Sequence, residues 1–197
     1  MFGFAGAPTA PRPNVSKAGA SANASRRLQG RLDLPLDEVG RQQAAALGGV
    51  VPRPSRVVVS PMIRAHQTAS VFGIEPEVDE RWHEMSYGEL EGVGLDEVPP
   101  STWAQWRGDP TFAPPGGESL DQVSRRVVAA CEELLADAAV RDVVVVTHAT
   151  PVKIAMAWAL GVEAAVTWRS HVDQASVTRI MVRDGRSVLA GFNHVPQ

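Results

Sequence analysis

Two stretches of this chain pair a hydrophobic run with residues that bind anions. The first is Val57-Val58-Val59-Ser60-Pro61, with Arg64 three residues on. The second is Val143-Val144-Val145-Val146-Thr147-His148-Ala149-Thr150-Pro151. Runs of valine this short, ending abruptly in polar residues, read as strands buried on both faces. A hydroxyl residue followed by proline reads as a helix start, with Ser60 and Thr150 as caps. Both segments are therefore strand-to-helix turns, and both should open on the carboxyl edge of one parallel sheet, where open α/β sheets bind ligands. A helix N-terminus favours an anion, and the Arg64 guanidinium adds a two-donor geometry that matches phosphate. An arginine, a histidine and two helix starts on one sheet edge suit a phosphate monoester. A nearby carboxyl group would protonate the leaving oxygen. Glu84, Glu89 and Glu91 are the candidate acids.

The elements that must position these residues alternate along the chain. Asp37 opens a helix that Pro52 and Pro54 close. Ile74–Val78 is a short extended segment. Trp103 and Trp106 lie in a short helix ending before Pro110. Ser119 and Gln122 form a capping-box pair ahead of a long helix with Leu120, Val123, Val127, Leu134 and Leu135 on one face. A helix from Pro151 stops at Gly161, and Asp184-Gly185 turns a closing hairpin. The pattern predicts one α/β domain over 25–197, a three-layer sandwich around a mostly parallel sheet. Most of Trp82, Trp103, Trp106 and Trp168 are assigned to core packing, and His66 to a helix surface.

Residues 1–24 differ from the rest: Ala, Gly, Pro, Ser and Asn dominate, and the first acidic residue is Asp33. This low-complexity text predicts an irregular segment. The 197 residues carry a formal net charge of −3, which argues against a nucleic-acid partner. A single cysteine, Cys131, excludes an internal disulfide framework and a cysteine-based zinc site. No stretch has the length of a transmembrane helix and no signal peptide is evident, so a cytoplasmic location is expected, with no membrane partner. The oligomeric state is not legible.

From Arg26 to about Ile180 the sequence resembles the histidine phosphatase superfamily, in its phosphoglycerate-mutase-like branch. The residues that carry the resemblance are Arg27-Leu28-Gln29-Gly30, Leu36 with Gly40 and Gln43-Ala44, and Ser60 to Ala69. Glu84-Met85-Ser86-Tyr87-Gly88 with Glu91-Gly92, Pro115-Gly116-Gly117-Glu118-Ser119 and Thr147-His148 complete the series. The run from Thr147 to Lys153 looks most like acid-phosphatase domains that occur fused to ribonuclease H. The resemblance implies hydrolysis of a phosphate monoester through a phosphohistidine, with no metal or cofactor. Arg64 matches the second arginine, His148 the second histidine and Glu84 the proton donor. Arg64 and His148 would hold the phosphoryl group of a small phosphorylated substrate or of inorganic phosphate. Asn23, Gln29, Gly30 and Ala149 would line the substrate. A mutase activity would use the same site.

One motif departs. The Arg-His-Gly that should end the first strand is absent, and its place falls on Ser16-Lys17-Ala18, with Lys17 where the nucleophile should be. The first strand itself is doubtful on this reading. Three explanations stand: a pseudoenzyme that binds a phosphorylated ligand without turnover, an out-of-frame or truncated N-terminus, or an unrelated nucleophile. The acid-free composition of residues 1–24 favours the second. The gene's other two reading frames upstream of Ser25 should then encode a strand followed by Arg-His-Gly.

Overall fold

The structure, a computed structural model, describes residues 14–17, 26–51 and 53–196. Six strands form one sheet: β1 (Asn14–Lys17), β2 (Arg56–Val59), β3 (Glu77–Val78), β4 (Val143–Thr147), β5 (Val177–Arg183) and β6 (Arg186–His194). Their order is β3-β2-β4-β1-β5-β6. The pairs β3–β2, β2–β4 and β4–β1 are parallel, whereas β1–β5 and β5–β6 are antiparallel. The helices are α1 (Glu38–Val50), α2 (Ile63–Ala69), α3 (Pro100–Gly108), α4 (Leu120–Ala138) and α5 (Ala149–Leu160).

The valine runs explain the layering. Side chains alternate across a strand, so a continuous apolar strand must be covered on both sides. Val58, Val143 and Val145 face one core with Val123, Val127 and Leu134 of α4 and Ile154 of α5. Val57, Val59, Val144 and Val146 face the other, with Leu47 of α1 and Ala65 and Ala69 of α2. All five residues of β4 are buried. Trp82 and Trp106 are 1% exposed, in the core as expected.

The predicted punctuation holds at several ends. The Asp37 carboxylate caps α1 by accepting from the Gly40 N–H at 2.6 Å. Ser119 and Gln122 form the reciprocal capping box of α4. Gly161 ends α5 with φ of 67°. Asp184 and Gly185 both have positive φ, 51° and 72°, the conformation that a tight hairpin turn requires.

Two expectations need correction. The first strand, read as doubtful within an irregular segment, is present at Asn14–Lys17 and lies between β4 and β5. The physical reason is the sheet itself: β4 and β5 each present a row of unpaired N–H and C=O groups, and a short segment satisfies both with backbone alone. The rest of residues 1–24 lies outside the described residues. The second correction concerns the helix starts. The cap of α5 is His148, not Thr150, and that of α2 is Met62, not Ser60. The polar groups of Ser60 and Thr150 serve the cleft described next.

Candidate active site

The cleft opens at the carboxyl ends of β2, β4 and β1. Lys17 ends β1 in register with Thr147, the last residue of β4. His148 follows Thr147 directly, and Ser60 follows β2. A cavity of about 190 Å³ lies over this edge, lined by Arg27, Gln29, Gly30, Arg64, Glu84, Tyr87, His148 and Ala149, with Leu28 and Leu95. Arg64, Glu84 and His148, predicted from sequence, thus share one cavity with Gln29, Gly30 and Ala149. Asn23 lies outside the described residues. Glu89 and Glu91 are not among the lining residues; Glu91 instead accepts from the backbone N–H groups of Arg31 and Tyr87.

Arg64 is only 3% exposed. It sits in the first turn of α2 and donates to the carbonyl oxygens of Leu32 at 2.7 Å and Gly30 at 3.1 Å. Gly30 has φ of 49°, and a side chain there would run into Glu91, so the residue that turns its carbonyl toward Arg64 must be glycine. Burial lowers the Arg64 pKa, and the charges of Glu84, Asp33 and Glu91 oppose that shift. The guanidinium is thus a desolvated cation whose hydrogen-bond partners here are neutral carbonyls.

His148, 2% exposed, meets Ser60 through Nε2···Oγ at 2.7 Å. The serine read as a helix cap therefore orients the histidine instead. Thr147, beneath it, donates its hydroxyl to the Trp82 carbonyl at 2.6 Å, which ties β4 to the segment carrying Glu84.

Glu84 is 7% exposed. Its carboxylate accepts from the Met85 N–H at 2.8 Å and from the Thr150 N–H, in the first turn of α5, at 3.2 Å. The helix start that looked ready for a ligand is partly used to hold this acid. Lys153, one turn further along α5, is half-buried; burial lowers its pKa against the pull of the Glu84 charge. Burial, followed by the charges of Glu84 and Glu91, pushes the Tyr87 phenol up against its hydrogen bond to Thr150, so it stays neutral.

Behind Glu84 stands a clamp that sequence reading missed. Arg126 of α4 donates to the carbonyls of Arg81, His83 and Glu84 at 2.6, 2.8 and 3.2 Å, and grips both oxygens of Glu118. Glu118 also accepts from the Ser86 N–H and pairs with Arg31. The signal available was Arg126 seven residues beyond the Ser119 cap, on the α4 flank that faces the loop.

Burial pushes the Glu118 carboxyl up; Arg126, the Ser86 N–H and the Arg31 charge outweigh it and hold the group below its ordinary 4.5. A carboxylate depressed in the folded state contributes stability that is full above its unfolded pKa and is lost as pH falls through the folded value. Stability should therefore fall as pH drops below 4.5. Glu118→Gln should flatten that part of the profile in urea unfolding from pH 7 to pH 3. An equally steep decline in the variant would remove Glu118 as a source of the acid sensitivity.

The profile of the histidine phosphatase superfamily (branch 1) matches residues 18–195, and the chain belongs to that superfamily. A bifunctional protein of Mycobacterium tuberculosis is 34% identical over 163 residues, 78% of this chain and 45% of that protein, so the chain spans about half of its length. Glucosyl-3-phosphoglycerate phosphatase of the same organism is 36% identical over 143 residues, 64% of each chain. The solved structure of a mycobacterial glucosyl-3-phosphoglycerate phosphatase superposes with a TM-score of 0.82 at 30% identity, covering 94% of this chain and 99% of that one. Among the described residues no helix is long and apolar enough to cross a membrane.

Proposed function

We propose that residues 25–197 form one domain carrying the phosphomonoester site of a histidine phosphatase, and that the missing nucleophile impairs turnover. The observation that carries this reading is the convergence of Arg64, His148 and Glu84 on one cavity at the sheet edge. Arg64 and His148 hold the phosphoryl oxygens and offset the charge that develops in the transition state. Glu84 supplies the proton that the leaving alcohol oxygen takes up. In the superfamily mechanism a histidine at the end of the first strand attacks phosphorus, and water then cleaves the phosphohistidine. In this chain that place falls on Lys17. The substrate is a small phosphorylated molecule, since 190 Å³ lies below the roughly 300 Å³ at which drug-sized pockets begin. The same reading expects no nucleic-acid, metal or cofactor partner, and the cytoplasm is the proposed compartment. Kinship with the acid-phosphatase domains fused to ribonuclease H is part of the same reading. It is supported by the 34% match to a protein described as bifunctional, of which the match covers 45%.

A second reading draws on Lys17: a phosphate-ligand binding module without turnover. Lysine holds phosphate as a point charge but is not the nucleophile of this chemistry. Both readings require the same anion site. Calorimetric titration of the full chain with inorganic phosphate should give one saturable site, weakened about tenfold or more in His148→Ala by loss of a buried contact to the anion. Binding indifferent to that substitution would place the anion elsewhere and sink both.

A further inference from the structure

The far end of the same sheet carries a second cavity. About 470 Å³ in volume, it lies at the amino ends of β2 and β3, between the end of α1 and the segment that follows α2. That volume falls within the roughly 300–1,000 Å³ of small-molecule sites. Three chemistries meet there. Half-buried Val71, Phe72 and Ile74 form an apolar wall. Arg53 stands beside it, exposed, and among the described residues its guanidinium has no hydrogen-bond or ion-pair partner. Gly48 brings the carboxyl end of α1, a 13-residue helix whose aligned carbonyls make that end partly negative. The residue four beyond Gly48 is Pro52, which has no N–H, so the Gly48 carbonyl lacks its helical donor.

We propose that this cavity is an effector site for a free amino acid with an apolar side chain. The Arg53 guanidinium takes the carboxylate, whose two oxygens match its two-donor edge. The ammonium meets the Gly48 carbonyl at the negative end of α1. The side chain lies on Val71, Phe72 and Ile74. A simple anion would meet the helix end with the wrong sign, and a simple cation would face Arg53; a zwitterion satisfies both. The route to the phosphoryl cleft is a single rod. The 3₁₀ turn Ser70–Phe72 continues α2 without a break, and α2 carries Arg64 in its first turn. A ligand packed on Phe72 restrains the helix that positions Arg64, so amino acid and phosphate should each tighten the other's binding.

The test compares ligands that differ at one group. The full chain is titrated calorimetrically at pH 7 with L-phenylalanine, with 3-phenylpropionate, which lacks the ammonium, and with phenethylamine, which lacks the carboxylate. Phenylalanine should bind about tenfold more tightly than either, the worth of one charge-assisted contact. Arg53→Gln should cancel its advantage over phenethylamine and keep its advantage over 3-phenylpropionate, and Arg53→Lys should restore part of the former. Saturating phenylalanine should raise the affinity for inorganic phosphate about fivefold. No binding of phenylalanine, equal affinity for the three ligands, or an advantage over phenethylamine that survives Arg53→Gln would overturn the site. Phosphate affinity left unchanged or lowered by phenylalanine would overturn the effector role. Circular-dichroism melting of each variant shows that it is folded, and a ratio between ligands is insensitive to a partly folded fraction. Phenylalanine is titrated without phosphate, so the site stands or falls independently of the phosphomonoester reading.

Discussion

The double substitution Ser16→Arg, Lys17→His is expected to raise phosphatase turnover by about 10³-fold or more over the chain as it stands. Removing the nucleophile of a covalent mechanism costs a factor on the order of 10⁶ in turnover and leaves only roughly 10³ to 10⁴ over water from electrostatic stabilisation and binding. A chain with Arg64, His148 and Glu84 assembled but no attacking histidine should therefore retain a trace of activity at most. The register supports the choice of position: Lys17 pairs with Thr147, so it ends its strand beside the residue that precedes His148. The measurement is kcat/KM on p-nitrophenyl phosphate, together with trapping of an acid-labile phosphoenzyme from labelled substrate. A double variant no faster than its parent would refute the placement at Lys17. A parent that already accumulates phosphoenzyme would refute the missing nucleophile.

Arg64→Ala should damage binding and folding together. A charge-assisted contact is worth about 1.5–3 kcal/mol, so phosphate affinity should fall roughly 10- to 100-fold. The substitution also orphans the carbonyls of Gly30 and Leu32, each about 1–3 kcal/mol if left unpaired in the interior. Relief of a desolvated charge offsets part of that cost, since burial already disfavours the cation. A net loss of about 1–3 kcal/mol in urea unfolding is expected. Arg64→Lys separates the two effects: a lysine keeps the charge but cannot span both carbonyls and the anion. It should recover more affinity than stability. Equal affinity in Arg64→Ala and the parent would exclude Arg64 from the phosphate site.

The architecture was legible because its signals are local. Four valines followed by Thr147-His148 can only be a strand covered on both faces, and alternate valines do divide between the two cores. The capping box at Ser119 and Gln122 needs only three residues of context. The candidate site was legible in part for the same reason: Arg64 and His148 each end or follow a valine strand. Ser60 and Thr150 were misread because a hydroxyl before proline carries the same local signal whether it caps a helix or serves a distant neighbour: the Ser60 hydroxyl meets His148, 88 residues away, and the Thr150 side chain bonds Tyr87 while its backbone N–H goes to Glu84. The Arg126 clamp was missed for a related reason. Its partners are backbone carbonyls more than forty residues upstream, and carbonyls leave no mark in a sequence. β1 was doubted because Asn14-Val15-Ser16-Lys17 is not apolar, yet a strand with hydrogen-bonding neighbours on both sides is selected by its backbone as much as by its side chains.

That strand bears a load out of proportion to its four residues. Among the described strand pairings, β1 alone joins β3-β2-β4, the half of the sheet that carries Ser60 and His148, to the β5–β6 hairpin. The two halves are thus spliced edge to edge through Asn14–Lys17, three residues of which pair with β5 in opposite orientation. The cooperativity of the whole sheet rests on that splice. While it stays in register, the ligand-binding edge and the carboxyl-terminal hairpin share a single opening free energy. Were it to slip, they would become two independently exchanging units connected only through helices.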